Sequence, residues 1–246
     1  MMENTFYDYG KPQGKKGEDL LDLMDEGHTP VSLWALTNLE VKDDNVVLDI
    51  GCGSGLNIKR LHEKSSNEKT YGVDHSDVSV KKSIMMNQKE VDEGNVVIKQ
   101  ANVLDMPFED ETFDIITGFE TVYFWPDIVN AFREVKRILK NDGKFFLVLE
   151  ANGCANDQTS QTANSQGCYF YTDEELKQLL LDAGYTQITF FLRDRINNKK
   201  IIRKVTPTDC SEDVVEDIFE MDKYAEEEQS EDYTPSKEWM CIIAQK

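Results

Sequence analysis

The sequence predicts an α/β fold built on a largely parallel sheet, and three observations predict it. Strand-like apolar runs alternate with helical patterns between residues 44 and 150, the arrangement that places helices on both faces of a parallel sheet. The first run, Val46-Val-Leu-Asp-Ile50, leads directly into a turn carrying Gly51, Gly53 and Gly55. A second run, Lys69-Thr-Tyr-Gly-Val-Asp74, ends in an acid 19 positions after Gly55, close to the roughly 20-residue spacing at which a ribose-binding carboxylate follows a glycine turn. With 246 residues and 39% hydrophobic content, the chain can bury one sizeable core.

The glycine turn is the first element with chemical content. Lacking Cβ atoms, its residues let the backbone turn sharply and approach a ligand, and the next helix aims its free N–H groups at the same point. A dinucleotide turn of the G-x-G-x-x-G kind would place its third glycine at position 56, where Leu56 stands. The Asp49 carboxylate suits a cationic ligand and would repel a pyrophosphate. The stretch resembles motif I of class I S-adenosylmethionine-dependent methyltransferases. That resemblance implies S-adenosylmethionine as cofactor, with Asp49 near its amino-acid end and the backbone of Gly51, Cys52, Gly53, Gly55 and Asn57 against it. It also implies that Asp74 takes the ribose diol, since a carboxylate accepts from both hydroxyls, with His75 beside the adenosine pocket.

The later strands follow the same order. Val96-Val-Ile-Lys-Gln-Ala-Asn-Val103 reads as a third strand followed by Leu104-Asp-Met-Pro-Phe108. The family's adenine-contacting acid falls by alignment on Asn102, with Val103 offering an N–H. Asn keeps an acceptor oxygen for the adenine amino group, and Asp105 competes for the role or serves the turn before Pro107. Thr112-Phe-Asp-Ile-Ile-Thr-Gly-Phe-Glu120 is a fourth strand, and its carboxyl end sets Phe119 and Glu120 where ligands of open parallel sheets lie. A helix at about 128–139, a turn at Asn141-Asp-Gly143 and a strand at 143–150 complete this part. The resemblance implies a Rossmann-like, seven-stranded, mostly parallel sheet with helices on both faces. Its sixth and seventh strands fall at 186–192 and 238–244, the last antiparallel.

Three segments decorate the core, giving one domain with a lid at 1–43, sheet core at 44–192 and 236–246, and an acidic insertion at 193–235. In the first, Leu20, Leu21, Leu23 and Met24 mark a helix, Gly27-His-Thr-Pro30 breaks it, and Thr29 caps a second helix over 31–39. Lys11-Pro-Gln-Gly14 and Met24-Asp-Glu-Gly-His28 resemble the N-terminal segment of a bacterial subset of small-molecule methyltransferases, which implies an N-terminal helical lid over the cofactor. In the insertion, Val214, Val215, Ile218, Phe219, Met221 and Tyr224 recur at helical spacing, predicting an amphipathic helix from Ser211 to about Glu228. Thr172-Asp-Glu-Glu175 predicts a capping box for a helix ending at Gly184, and the polar loop 152–168 is expected to border the mouth of the site.

Charge and cysteine usage narrow the function classes. The chain has 27 basic and 47 acidic residues, a net of −20, and 209–233 holds 12 acids and one base. Such a field repels phosphate backbones and anionic lipid, so neither nucleic acid nor a membrane is the expected partner. The N-terminus lacks a signal-like apolar stretch and no 18-residue apolar run occurs, giving a cytoplasmic expectation. Five scattered cysteines predict free thiols and no metal site.

For chemistry, the resemblance implies methyl transfer to a small-molecule acceptor, with binding of S-adenosylmethionine without turnover, as a sensor or assembly protein, as the alternative. Catalytic candidates are His28 at the lid break, Glu120 as base or ammonium partner, and Tyr123 within the aromatic cluster Tyr123-Phe-Trp125. The acceptor and the oligomeric state stay open at this stage.

Overall fold

Four wholly buried residues, Val47–Ile50, form β1 and sit near the middle of the sheet. The computed structural model describes residues 9–150, 168–195, 199–206, 209–210, 213–217 and 238–246. On one side of β1 lie β2 (Thr70–Asp74) and β3 (Val96–Gln100), and on the other β4 (Phe113–Phe119) and β5 (Leu139–Leu149), all parallel. Beyond β5 come β6 (Gln187–Asp194), β7 (Lys199–Thr206), β8 (Asp209–Cys210), β9 (Val214–Asp217) and β10 (Glu238–Gln245). The order is β3-β2-β1-β4-β5-β10-β6-β7-β8, with β9 also pairing β7. β10 runs antiparallel between β5 and β6, as expected for the last strand.

The helices in chain order are α1 (Gly14–Leu36), α2 (Leu56–His62), α3 (Asp77–Met86), α4 (Gln88–Asp92), α5 (Ile128–Ile138) and α6 (Asp173–Asp182). Side chains alternate between sheet faces with the period of two that a pleated strand imposes. On β5, Phe145, Leu147 and Leu149 join the core under α5 and α6, with Phe132, Val135, Leu176 and Leu180. Phe146 and Val148 enter the opposite core with Val31, Trp34 and Leu36 of α1 and Leu61 of α2. β10 divides the same way, Met240 and Ile242 to one face, Trp239 and Cys241 to the other. Each such side chain removed from water stabilises the fold by roughly 1.5–3 kcal/mol.

Helix signals were mostly local and hold. Thr172 accepts from the Glu175 amide while the Glu175 side chain accepts from the Thr172 amide, the expected capping box, and Gly184 follows the helix at φ +91°. Between Phe113 and Ile115 the β4–β5 register shifts from Leu139 to Lys144, so Asn141-Asp-Gly143 forms a bulge within β5 and not a turn before it.

Three further expectations change. Among the described residues the sheet has ten strands in place of seven, because β7, β8 and β9 within 193–235 extend it beyond β6. The amphipathic helix expected from Ser211 begins instead as strand β9, where Val214 and Val215 pair with Ile202 and Ile201. The open edge of β7 offers unpaired backbone groups to β-branched valines, and that outweighs a helical apolar spacing. The remainder of that predicted helix, 218–228, lies outside the described residues, as does loop 152–167. Finally, α1 is one continuous helix with Pro30 inside it, not two helices with a break. Thr29 does not cap: its Oγ1 donates to the Asp25 carbonyl one turn earlier at 2.6 Å. Packing of Val31, Trp34 and Leu36 holds the helix through the proline, whose cost would end an exposed one.

Candidate active site

The turn after β1 takes the backbone shape that its glycines allow. Gly51, Gly53 and Gly55 have φ of +71°, +54° and +88°, the left-handed region that other residues enter at a cost of about 1–2 kcal/mol. At Gly51 a Cβ would overlap the Thr121 hydroxyl, whereas at Gly53 it would meet only Leu21 Cδ2, 3.6 Å away, across a cavity. Asp49, 1% exposed, accepts from Thr117 Oγ1 at 2.6 Å. Burial pushes its carboxyl up to about 7, with the neighbouring Asp74 charge adding to the rise and the Thr117 bond opposing it. Asp74 closes β2 and accepts from the Gly53 amide at 3.0 Å and the Ser76 amide at 2.8 Å. Burial raises Asp74 as well, against those two hydrogen bonds.

A cavity of about 330 Å³ lies along the carboxyl ends of the strands. Gly51, Gly53, Asp74, Asn102 and Phe119 line its floor, and Tyr9, Gly10, Pro12, Leu21 and Met24 its roof. The roof is pinned at several points. Ser76 Oγ donates to the Pro12 carbonyl at 2.7 Å, Ser54 Oγ to Asp25 Oδ1 at 2.7 Å, and Arg60 Nη2 to Thr29 Oγ1 at 2.9 Å. A smaller cavity of about 60 Å³ adjoins it through shared walls at Leu21, Gly51, Phe119 and Glu120, and is lined also by Asp25, His28, Asp49 and Arg60.

At the shared wall three ionisable side chains meet. Glu120 follows β4 with φ +53°, a strained position for a residue with a side chain. Its Oε2 accepts from the Tyr123 hydroxyl at 3.1 Å and its Oε1 from the Glu150 amide at 2.5 Å. Burial pushes Glu120 up to about 7. Glu150, which follows β5, brings Oε2 to 3.0 Å from His28 Nδ1. Burial draws the His28 imidazole down, but the Glu150 hydrogen bond and the charges of Glu120, Glu150 and Asp25 outweigh it, and the net direction is up. Among the described residues, His28, Glu120 and Glu150 form one group of metal-ligating type whose donor atoms lie within 4.8 Å of one another.

The other residues singled out by sequence divide into those on the cavity and those behind it. Gly51, Gly53, Asp74, His75, Asn102, Val103 and Phe119 line the larger cavity, and Asp49, Cys52 and Asn57 the smaller one. Gly55 lines neither, and is packed against Ser83 and Asn87 of the α3–α4 junction. Asn102 Oδ1 accepts from the Leu104 amide at 3.0 Å, so its carbonyl also holds the turn, and Asp105 pairs with Asn102 without lining the cavity. Tyr123 is 5% exposed and packs its ring on Phe170 in the core, while Phe124 and Trp125 reach the cavity wall. Sequence reasoning passed over Glu150, Thr121, Asp25 and Arg60. For Glu150 the signal existed: an acid directly after an apolar strand, the same pattern that marked Glu120.

Comparisons with known proteins bear on the family and the fold. Residues 48–147 match the model of a methyltransferase domain. The uncharacterized methyltransferase YcgJ of Bacillus subtilis is 36% identical over 44% of this chain and 42% of its own length. A 2-phytyl-1,4-naphtoquinone methyltransferase of Trichormus variabilis is 33% identical over 42% of this chain and 45% of its own. The chain thus spans less than half of either relative. Among solved structures, the geranyl diphosphate C-methyltransferase of Streptomyces coelicolor A3(2), in complex with Mg2+, geranyl diphosphate and S-adenosyl-L-homocysteine, superposes with a TM-score of 0.63 over 97% of this chain and 86% of that one, at 16% identity.

Proposed function

Since the chain belongs to the class I S-adenosylmethionine-dependent methyltransferases, whose cofactor is S-adenosylmethionine, we propose that it transfers a methyl group to a small-molecule acceptor. The observation that carries this reading is the pair of adjoining roofed cavities between the glycine turn and α1, the larger lined by buried Asp74 and by Phe119, Phe124 and Trp125, the smaller by buried Asp49. An enclosed space of this kind suits a metabolite better than a polymer chain. The named relatives are transferases, which is why turnover is proposed over binding alone.

The residues present fit the cofactor. Asp49, Asp74 and Glu120 are carboxyls whose burial raises them, and a cationic amino-acid end and a ribose diol are the groups that would relieve that cost. Gly53 leaves open the space that a Cβ would occupy. On this reading Asp49 and the backbone of Gly51, Cys52 and Gly53 hold the amino-acid end, with Asn57 at the edge of the smaller cavity and Gly55 shaping the turn. Asp74 takes the ribose, and His75, Asn102 and Val103 border the adenine.

When bound, S-adenosylmethionine supplies a methyl carbon already activated by its sulfonium. The protein's share is orientation and dryness. Holding reacting atoms about 3–3.5 Å apart is worth on the order of 7–11 kcal/mol, and Tyr9, Pro12, Leu21 and Met24 keep water from the cavity. Phe119, Phe124 and Trp125 wall the acceptor. His28 and Glu120 are the groups placed to receive a proton from it, and Tyr123 fixes Glu120 from behind. The net charge of −20 and, among the described residues, the buried free thiols Cys52 and Cys241 support a reducing cytoplasmic setting with neither nucleic acid nor membrane as partner. No described helix is long and apolar enough to cross a membrane.

The test is a product screen. Protein incubated with methyl-labelled S-adenosylmethionine and fractionated metabolites should yield a small molecule heavier by one labelled methyl. Label found only in macromolecules, or in no product, overturns the reading.

A further inference from the structure

The geometry points to Glu150 as a positioning residue that holds His28 for proton abstraction, and to a neutral hydroxyl as the group methylated. This deepens the methyl-transfer reading and rests on it.

Glu120 and Glu150 end adjacent parallel strands, β4 and β5, in register at Phe119 and Val148. The Glu150 amide fixes Glu120, and the Glu150 carboxylate fixes His28 across 122 residues of sequence. With 5% exposure, Glu150 has little solvent to turn toward. An ionised carboxylate only accepts, so the hydrogen of this contact sits on His28 Nδ1. The ring's free electron pair then belongs to Nε2, and the tautomer is the one a proton acceptor needs.

The same surroundings choose the acceptor. Three carboxyl groups face the imidazole: Glu150 from the end of β5, Glu120 from the end of β4, and Asp25 from α1 itself. Glu120, raised to about 7, carries only part of a charge, and Arg60 lines the same cavity, but the carboxyls outnumber that one cation, so together they stabilise an imidazolium and repel an anion. A thiolate, phenolate or carboxylate meets that repulsion on arrival, and a neutral amine attacks through its lone pair without a base. A neutral hydroxyl needs one. As it reacts, its O–H bond breaks while the oxygen–methyl bond forms, the carbon–sulfur pair stays on sulfur, and the proton passes to His28 Nε2.

Nitrogen-15 histidine spectra of the full chain, recorded with S-adenosylhomocysteine bound, test the positioning role without turnover. We expect the Nδ1–H tautomer in the wild type. In Glu150→Gln the tautomers should mix and the His28 midpoint should fall by about half a unit or more, with Glu150→Asp restoring part of both and the dissociation constant of S-adenosylhomocysteine unchanged within about twofold. An unaltered tautomer and midpoint in Glu150→Gln overturn the role, as does one equivalent of Zn2+ binding at His28, Glu120 and Glu150. A panel of matched alcohols, phenols and thiols tests the acceptor. Glu150→Gln should slow methylation of hydroxyls by about 100-fold, the scale of general-base catalysis, and spare thiols assayed above their own ionisation. Equal losses on both overturn the acceptor class. A wild type that methylates nothing sinks the methyl-transfer reading, while the histidine spectra still decide the role of Glu150.

Discussion

The Gly53 amide donates to Asp74 Oδ2 across 3.0 Å and so ties the turn after β1 to the end of β2. One carboxylate therefore shapes the cradle and faces its contents. Asp74→Ala should raise the dissociation constant of S-adenosylmethionine by at least about tenfold, since losing a hydrogen bond to a charged group costs roughly 1.5–3 kcal/mol. Calorimetry checks this, and an unchanged affinity removes Asp74 from the site.

The glycines of the turn are not equivalent. Gly51→Ala adds steric overlap with Thr121 to the strain of φ +71°, and Thr121 Oγ1 is the acceptor for Trp125 Nε1 at 3.1 Å. Gly53→Ala carries the strain alone, about 1–2 kcal/mol, because its Cβ would meet Leu21 Cδ2 at an ordinary contact distance of 3.6 Å. Thermal unfolding should therefore rank Gly51→Ala well below Gly53→Ala. Cofactor affinity should suffer in both, and equal melting temperatures would refute the difference.

Leu21, 2% exposed, lines both cavities from α1. Leu21→Ala should destabilise the protein by about 2–5 kcal/mol and speed cofactor release, because the roof loses its central contact. Stopped-flow dissociation rates matching the wild type would show that α1 does not retain the ligand.

Asp49 and Glu120 stand near 7 in the fold, against ordinary values of 3.8 and 4.5. Each binds its proton more tightly folded than unfolded, so folding takes up protons between those values. Stability without ligand should then be highest below about 4, decline as pH rises toward 7 and level off above it, as far as these two groups decide it. The double variant Asp49→Asn, Glu120→Gln should flatten that slope in denaturant melts, and an equal slope in both proteins would assign the decline elsewhere.

Much of this site was legible because its signals are local. Gly51, Gly53 and Gly55 announce a backbone shape, and Asp74 stands at a fixed distance from them. What escaped depends on pairing across the chain. Pro30 reads as a break until the packing of Trp34 and Val31 against the sheet is known. Val214 and Val215 read as one face of a helix until the edge of β7 is there to receive them. Tyr123 reads as a catalytic candidate, yet the short 3-10 helix Val122–Phe124 sends its ring into the core and sets Phe124 on the cavity wall. Glu150 stands where a local signal pointed, directly after an apolar strand, but its partner His28 becomes visible only when α1 packs on β5.

The placement of β10 has a consequence for the protein's handling in a cell. It pairs with β5 along one side from Met240 to Gln245, and with β6 along the other from Glu238 to Gln245. A proteolytic cut or premature stop ahead of Glu238 would bare two facing rows of amides and carbonyls, flanked by Phe146, Val148 and Phe190. Such naked edges recruit strands from other chains, so truncation there should give insoluble protein and not merely an inactive one.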